Sequence, residues 1–67
     1  MAHTQETQMK KIAVVLFKSA EQNVKSGNIS AARAYYGRTK EIMRETGIVK
    51  LSGIKQERFN ALCDRLS

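Results

Sequence analysis

The chain has 67 residues, with 12 lysines and arginines against 6 acidic residues, one cysteine, one histidine and no proline. That length sets one domain at most, burying only about 60% of the surface its unfolded form exposes, and a lone cysteine excludes an internal disulfide framework. The net charge of +6 and a pI near 9.9 favour anionic partners: nucleic acid, an acidic protein face or an anionic membrane surface.

Small cores are usually supported by disulfides, metals or self-association, and only self-association, as a homodimer, stays open to this composition. Charge is spread evenly. Residues 1–26, 27–47 and 48–67 each hold four basic and two acidic side chains, so a basic surface has to be assembled by folding rather than carried on a tail.

Residues 1–8, "MAHTQETQ", lack apolar periodicity and are expected to be a flexible tail, with Thr4 as a helix cap, ahead of a single domain over residues 9–67. From Met9 the pattern changes. Met9, Ile12, Ala13, Leu16, Phe17, Ala20 and Val24 recur at three- and four-residue steps, which predicts an amphipathic helix with Lys11, Lys18 and Lys25 on the opposite side. "MKKIAVVLFKSA" imitates an export signal, but its apolar run stops at Lys18 and is too short for one. No stretch is long and apolar enough for a membrane span. With no disulfide framework either, a cytoplasmic location is expected.

"KKIAVVLF" also reads as a buried strand with "GIVKLS" as its partner, so the alternative fold is α+β with two short strands. The helical stripe continues past Phe17 to Val24 without a turn signal, and the helix is preferred.

Ser26, Gly27 and Asn28 end that helix, with Asn28 or Ser30 available to cap the next. The second helix is expected from about residue 31 to residue 46, burying Ala32, Tyr35, Tyr36, Thr39, Ile42 and Met43 and closing at Gly47. "IVKL" reads as an apolar linker. Ser52 is expected to cap a third helix over residues 54–66, with Phe59, Leu62, Cys63 and Leu66 on its apolar side. The fold class is therefore all-α, a small three-helix antiparallel bundle. Residues 16–43 resemble a single tetratricopeptide unit through Leu16, Ala20, Gly27, Asn28, Ile29, Ala32 and Tyr36, although Asn23 stands where an aromatic is usual and Thr39 where alanine is usual. The resemblance implies a tight helical hairpin.

Catalysis finds no support in this pattern. The one histidine, His3, lies in the N-terminal segment, and Cys63 falls on an apolar helix side where a buried thiol is inert. Pairs such as Glu41 with Arg44 or Lys40 account for the carboxylates. No metal-ligand spacing and no phosphate loop occur, and no cofactor or small-molecule substrate is implied. A non-enzymatic role in binding is expected.

Nucleic acid, in a regulatory capacity, is the favoured partner. Arg33, Lys40 and Arg44 share one flank of the second helix with Gly37 between them, where a phosphate backbone can come close. Lys55, Gln56, Arg58 and Asn60 on the third helix offer a second set. If Gly53 is the turn of a helix-turn-helix, then Ile48, Val49, Ile54, Phe59 and Leu62 are buried, and Lys55, Gln56, Glu57 and Asn60 face a groove. The alternative is an adaptor or inhibitor that binds another protein through an apolar and tyrosine patch of Val14, Val15, Tyr35 and Tyr36.

Overall fold

Apolar side chains at helical spacing, interrupted only by glycine turns, divide the chain into three helices in the computed structural model, which describes the backbone of residues 2–67 and the side chains from Thr7 onward. These are α1 (Ala2–Lys25), α2 (Ile29–Thr46) and α3 (Gln56–Leu66). Among the described residues no strand forms, so the valine-rich run lies in α1 and residues 48–52 lie in a loop. The side chain of His3 lies outside the described residues.

Helix α1 starts well before its apolar stripe, and Thr4 lies inside it rather than at a cap. The physical reason is propagation. Once a nucleus exists, each further residue adds one hydrogen bond, and alanine, glutamine and glutamate extend a helix without needing a buried face. At the other end the chain turns through glycine. Gly27 has φ of 85°, its N–H donates to the Val24 carbonyl at 3.1 Å, and the Asn28 N–H donates to the Asn23 carbonyl at 2.7 Å. That pair of bonds is a Schellman motif, satisfying carbonyls the helix end leaves open. Asn28 occupies the N-cap position of α2 without a side-chain capping bond.

So short a turn makes α1 and α2 an antiparallel hairpin. Ala13 and Ala20 of α1 and Ala32 of α2 are fully buried, and such small side chains let two helices come close. Phe17 and Ile42 fill the space beside them. Thr39, where alanine was usual in the repeat pattern, is also fully buried. Its hydroxyl donates to the Tyr35 carbonyl at 2.9 Å, which removes the penalty of burying it. Ile12 departs from the expected stripe and is 48% exposed, because the stripe is wider than the seam that α2 covers.

Gly47 ends α2 in the left-handed conformation, with φ of 74°. The following loop is not a passive linker. Leu51 and Ile54 are both buried, and the Ile54 N–H donates to the Leu51 carbonyl at 3.1 Å across a turn in which Gly53 has φ of 76°. A positive φ at the third position makes this a type II turn. Ser52 is therefore a turn residue, and Lys55 rather than Ser52 holds the N-cap position of α3. The helix-turn-helix arrangement does not form. No helix runs into Gly53 from the N-terminal side, and Val49, which it needs buried, is 82% exposed.

Helix α3 closes the hairpin through an aromatic cluster. The Phe59 ring stacks on Phe17 of α1 at 4.8 Å and meets Tyr36 of α2 at 5.6 Å, while Leu62 and Leu66 complete the core. Among the described residues, no buried side-chain nitrogen or oxygen lacks a hydrogen-bond partner.

Candidate nucleic-acid interface

Helix α2 sorts its charges into two sets. Arg38 reaches Glu41 at 2.9 Å and Glu45 at 4.0 Å, so both carboxylates of the helix gather on one arginine instead of on Lys40 or Arg44. Arg33, Gly37, Lys40 and Arg44 follow at three- and four-residue steps along a different flank, about 16 Å long at 1.5 Å per residue. Among the described residues, none of these three cations is paired with a carboxylate.

Gly37 is exposed within the helix, and a Cβ built on it meets nothing within 4 Å. Among the described residues, no other helix uses the space. A glycine at such a site costs about 0.5–1 kcal/mol relative to alanine and leaves the backbone bare.

Each cation on this flank has a distinct setting. The Arg33 Nε donates to the Leu66 carbonyl at 3.2 Å, satisfying one of the open carbonyls at the end of α3. Lys40 places its ammonium 5.4 Å from the centre of the Tyr36 ring. Arg44 stands in the last turn of α2, where a cation complements the helix dipole.

Tyr36 joins this flank to α3. Burial, with a hydrogen bond shared with Cys63, pushes its hydroxyl up to about 12. Cys63 itself is exposed, not part of the core, because Leu62 and Leu66 turn inward and leave Cys63 about a quarter turn away. Gln56, Asn60 and Cys63, at four- and three-residue steps, share that outer side of α3. The Gln56 Nε2 donates to the Asn60 Oδ1 at 3.2 Å, which ties one end of each amide to the other. Lys55 is exposed at the start of the helix.

Arg58 is set apart from these groups. Its guanidinium forks onto the Glu21 carboxylate of α1 and lies 5.8 Å from the Phe17 ring, so it faces α1 rather than the Tyr36 seam. The hydrogen bonds to Glu21 hold its pKa further up still.

The residues expected to form an apolar and tyrosine patch are not gathered in one place. Tyr36 lies in the seam between α2 and α3, while its neighbour Tyr35 is turned about 100° around the helix and is 39% exposed. Val14 is half-buried against the core and Val15 is 61% exposed, both on α1. The signal missed in the sequence was Arg38 with Glu41 and Glu45, whose three- and seven-residue spacing places them on one side of a helix.

Among the described residues, no three histidine, cysteine, aspartate or glutamate side chains come together as metal ligands. No helix among them is long and apolar enough to cross a membrane. Comparison with protein-family models, with curated proteins and with solved structures gives no match to this chain.

Proposed function

We propose that this is a non-enzymatic regulatory protein that binds nucleic acid through the Arg33–Gly37–Lys40–Arg44 flank of α2. One observation carries the reading: three cations without a carboxylate partner among the described residues flank a bare glycine on one helix, while the acidic residues of the same helix are held by Arg38. Lysine and arginine gain affinity for nucleic acid by displacing condensed counterions from phosphates. An open glycine lets the sugar-phosphate chain approach the helix while the long side chains reach around it.

The same features support contact with the backbone rather than with base edges. Gln56 and Asn60, the amides suited to adenine, are bonded to each other along the outer side of α3, and Arg58 is held by Glu21. The reading is therefore of binding with little sequence preference. An electrophoretic shift with mixed DNA and RNA tests it. Retardation at about 50 mM salt that is largely lost by about 200 mM is expected, and no retardation even at low salt would remove the proposal.

A further inference from the structure

Helix α1 and the loop before α3 enclose a groove of about 530 Å³ lined by Thr7, Lys10, Lys11, Val14, Val15 and Ser52. Its size is that of a site for a few side chains. Val14 and Val15 give it an apolar floor, with Val15 61% exposed. Lys10 and Lys11, one turn earlier on the helix, bring two cations to its edge, and among the described residues none of those lining it is a carboxylate.

We propose that this groove docks an acidic segment of another protein. An apolar side chain of that segment rests on Val14 and Val15, and neighbouring carboxylates meet Lys10 and Lys11. Charge complementarity selects this occupant. The +6 chain steers acidic partners toward itself, and the lysines beside the floor fix which part of the partner settles there. A second copy of the chain does not fit, because every third of it carries the same net positive charge and none offers an acidic segment. A phosphate backbone has no use for a valine floor. A flat bilayer is less suited than a peptide to a groove walled on one side by the loop at Ser52.

The test uses a short fluorescent peptide with leucines along one helical face and glutamates along the other, and a control peptide in which serines replace the leucines. Fluorescence anisotropy with the full chain is expected to show binding of the leucine peptide. Val15→Asp and Lys11→Glu are each expected to weaken it by about tenfold or more, and the serine control is expected to bind as weakly as the variants do. Lys40→Ala should leave peptide binding unchanged, which separates this groove from the α2 flank. Circular dichroism checks the fold, and Val15→Thr, which keeps the shape, serves if the aspartate variant unfolds. The proposal fails if the leucine peptide does not bind, if the serine control binds equally well, if both Val15 variants bind like wild type, or if anionic vesicles compete better than the peptide for the same residues.

Discussion

Arg58 of α3 and Glu21 of α1, 37 residues apart in sequence, are joined by a two-pronged contact in which the Arg58 Nε lies 3.1 Å from Glu21 Oε2. The planar fork of arginine matches a carboxylate in a way a lysine ammonium does not. Arg58→Lys should therefore lower the melting temperature while leaving nucleic-acid affinity at the wild-type level. A large loss of affinity with an unchanged melting temperature would return Arg58 to the binding surface.

The aromatic cluster sets the stability of the chain. A protein of this size is stable by only about 3–10 kcal/mol, and truncating a buried phenylalanine costs about 3–5 kcal/mol. Phe17 is fully buried and stacked on Phe59. Phe17→Ala should unfold much of the population at 25 °C, seen as lost helical circular dichroism. A variant with a near-native urea midpoint would contradict this packing.

Gly37 separates stability from function. Its exposed helical position makes Gly37→Ala expected to stabilise the fold by about 0.5–1 kcal/mol in urea unfolding. On the proposed reading the same change should weaken nucleic-acid binding, since a methyl group would then stand where a phosphate backbone is proposed to approach. Unaltered binding in the stabilised variant would assign the glycine no role in contact.

Tyr36 predicts an alkaline transition. Its hydroxyl is raised from its ordinary value of 10.0 to about 12 in the fold, so the unfolded chain loses this proton first as pH rises. The stabilisation is complete below pH 10 and is lost between about pH 10 and 12. Tyr36→Phe should flatten this part of the stability curve, and an undiminished fall in the variant would point to another group.

Much of the fold was legible because glycine and helical periodicity act locally. Gly27 and Gly47 mark the helix ends, and Ala13, Phe17, Ala20, Ala32, Ile42, Leu62 and Leu66 were all readable as core from spacing alone. The misread residues depend on contacts distant in sequence. Leu51, expected only as part of a linker, is buried because α3 folds back over a turn, Val49 is exposed by the same turn, and Cys63 is exposed by the rotation that seats Phe59 between Phe17 and Tyr36. The basic flank of α2 was legible as a stripe. That its carboxylates lie elsewhere, on Arg38, was legible only through helical spacing.

The proposed role of the α2 flank is tested most directly by the salt dependence of nucleic-acid affinity. With three phosphates neutralised on a duplex, the slope of log affinity against log salt should be about −2.7. In the folded double variant Lys40→Ala with Arg44→Ala it should become shallower by about 2 units. Equal slopes for the wild type and the double variant would contradict the account.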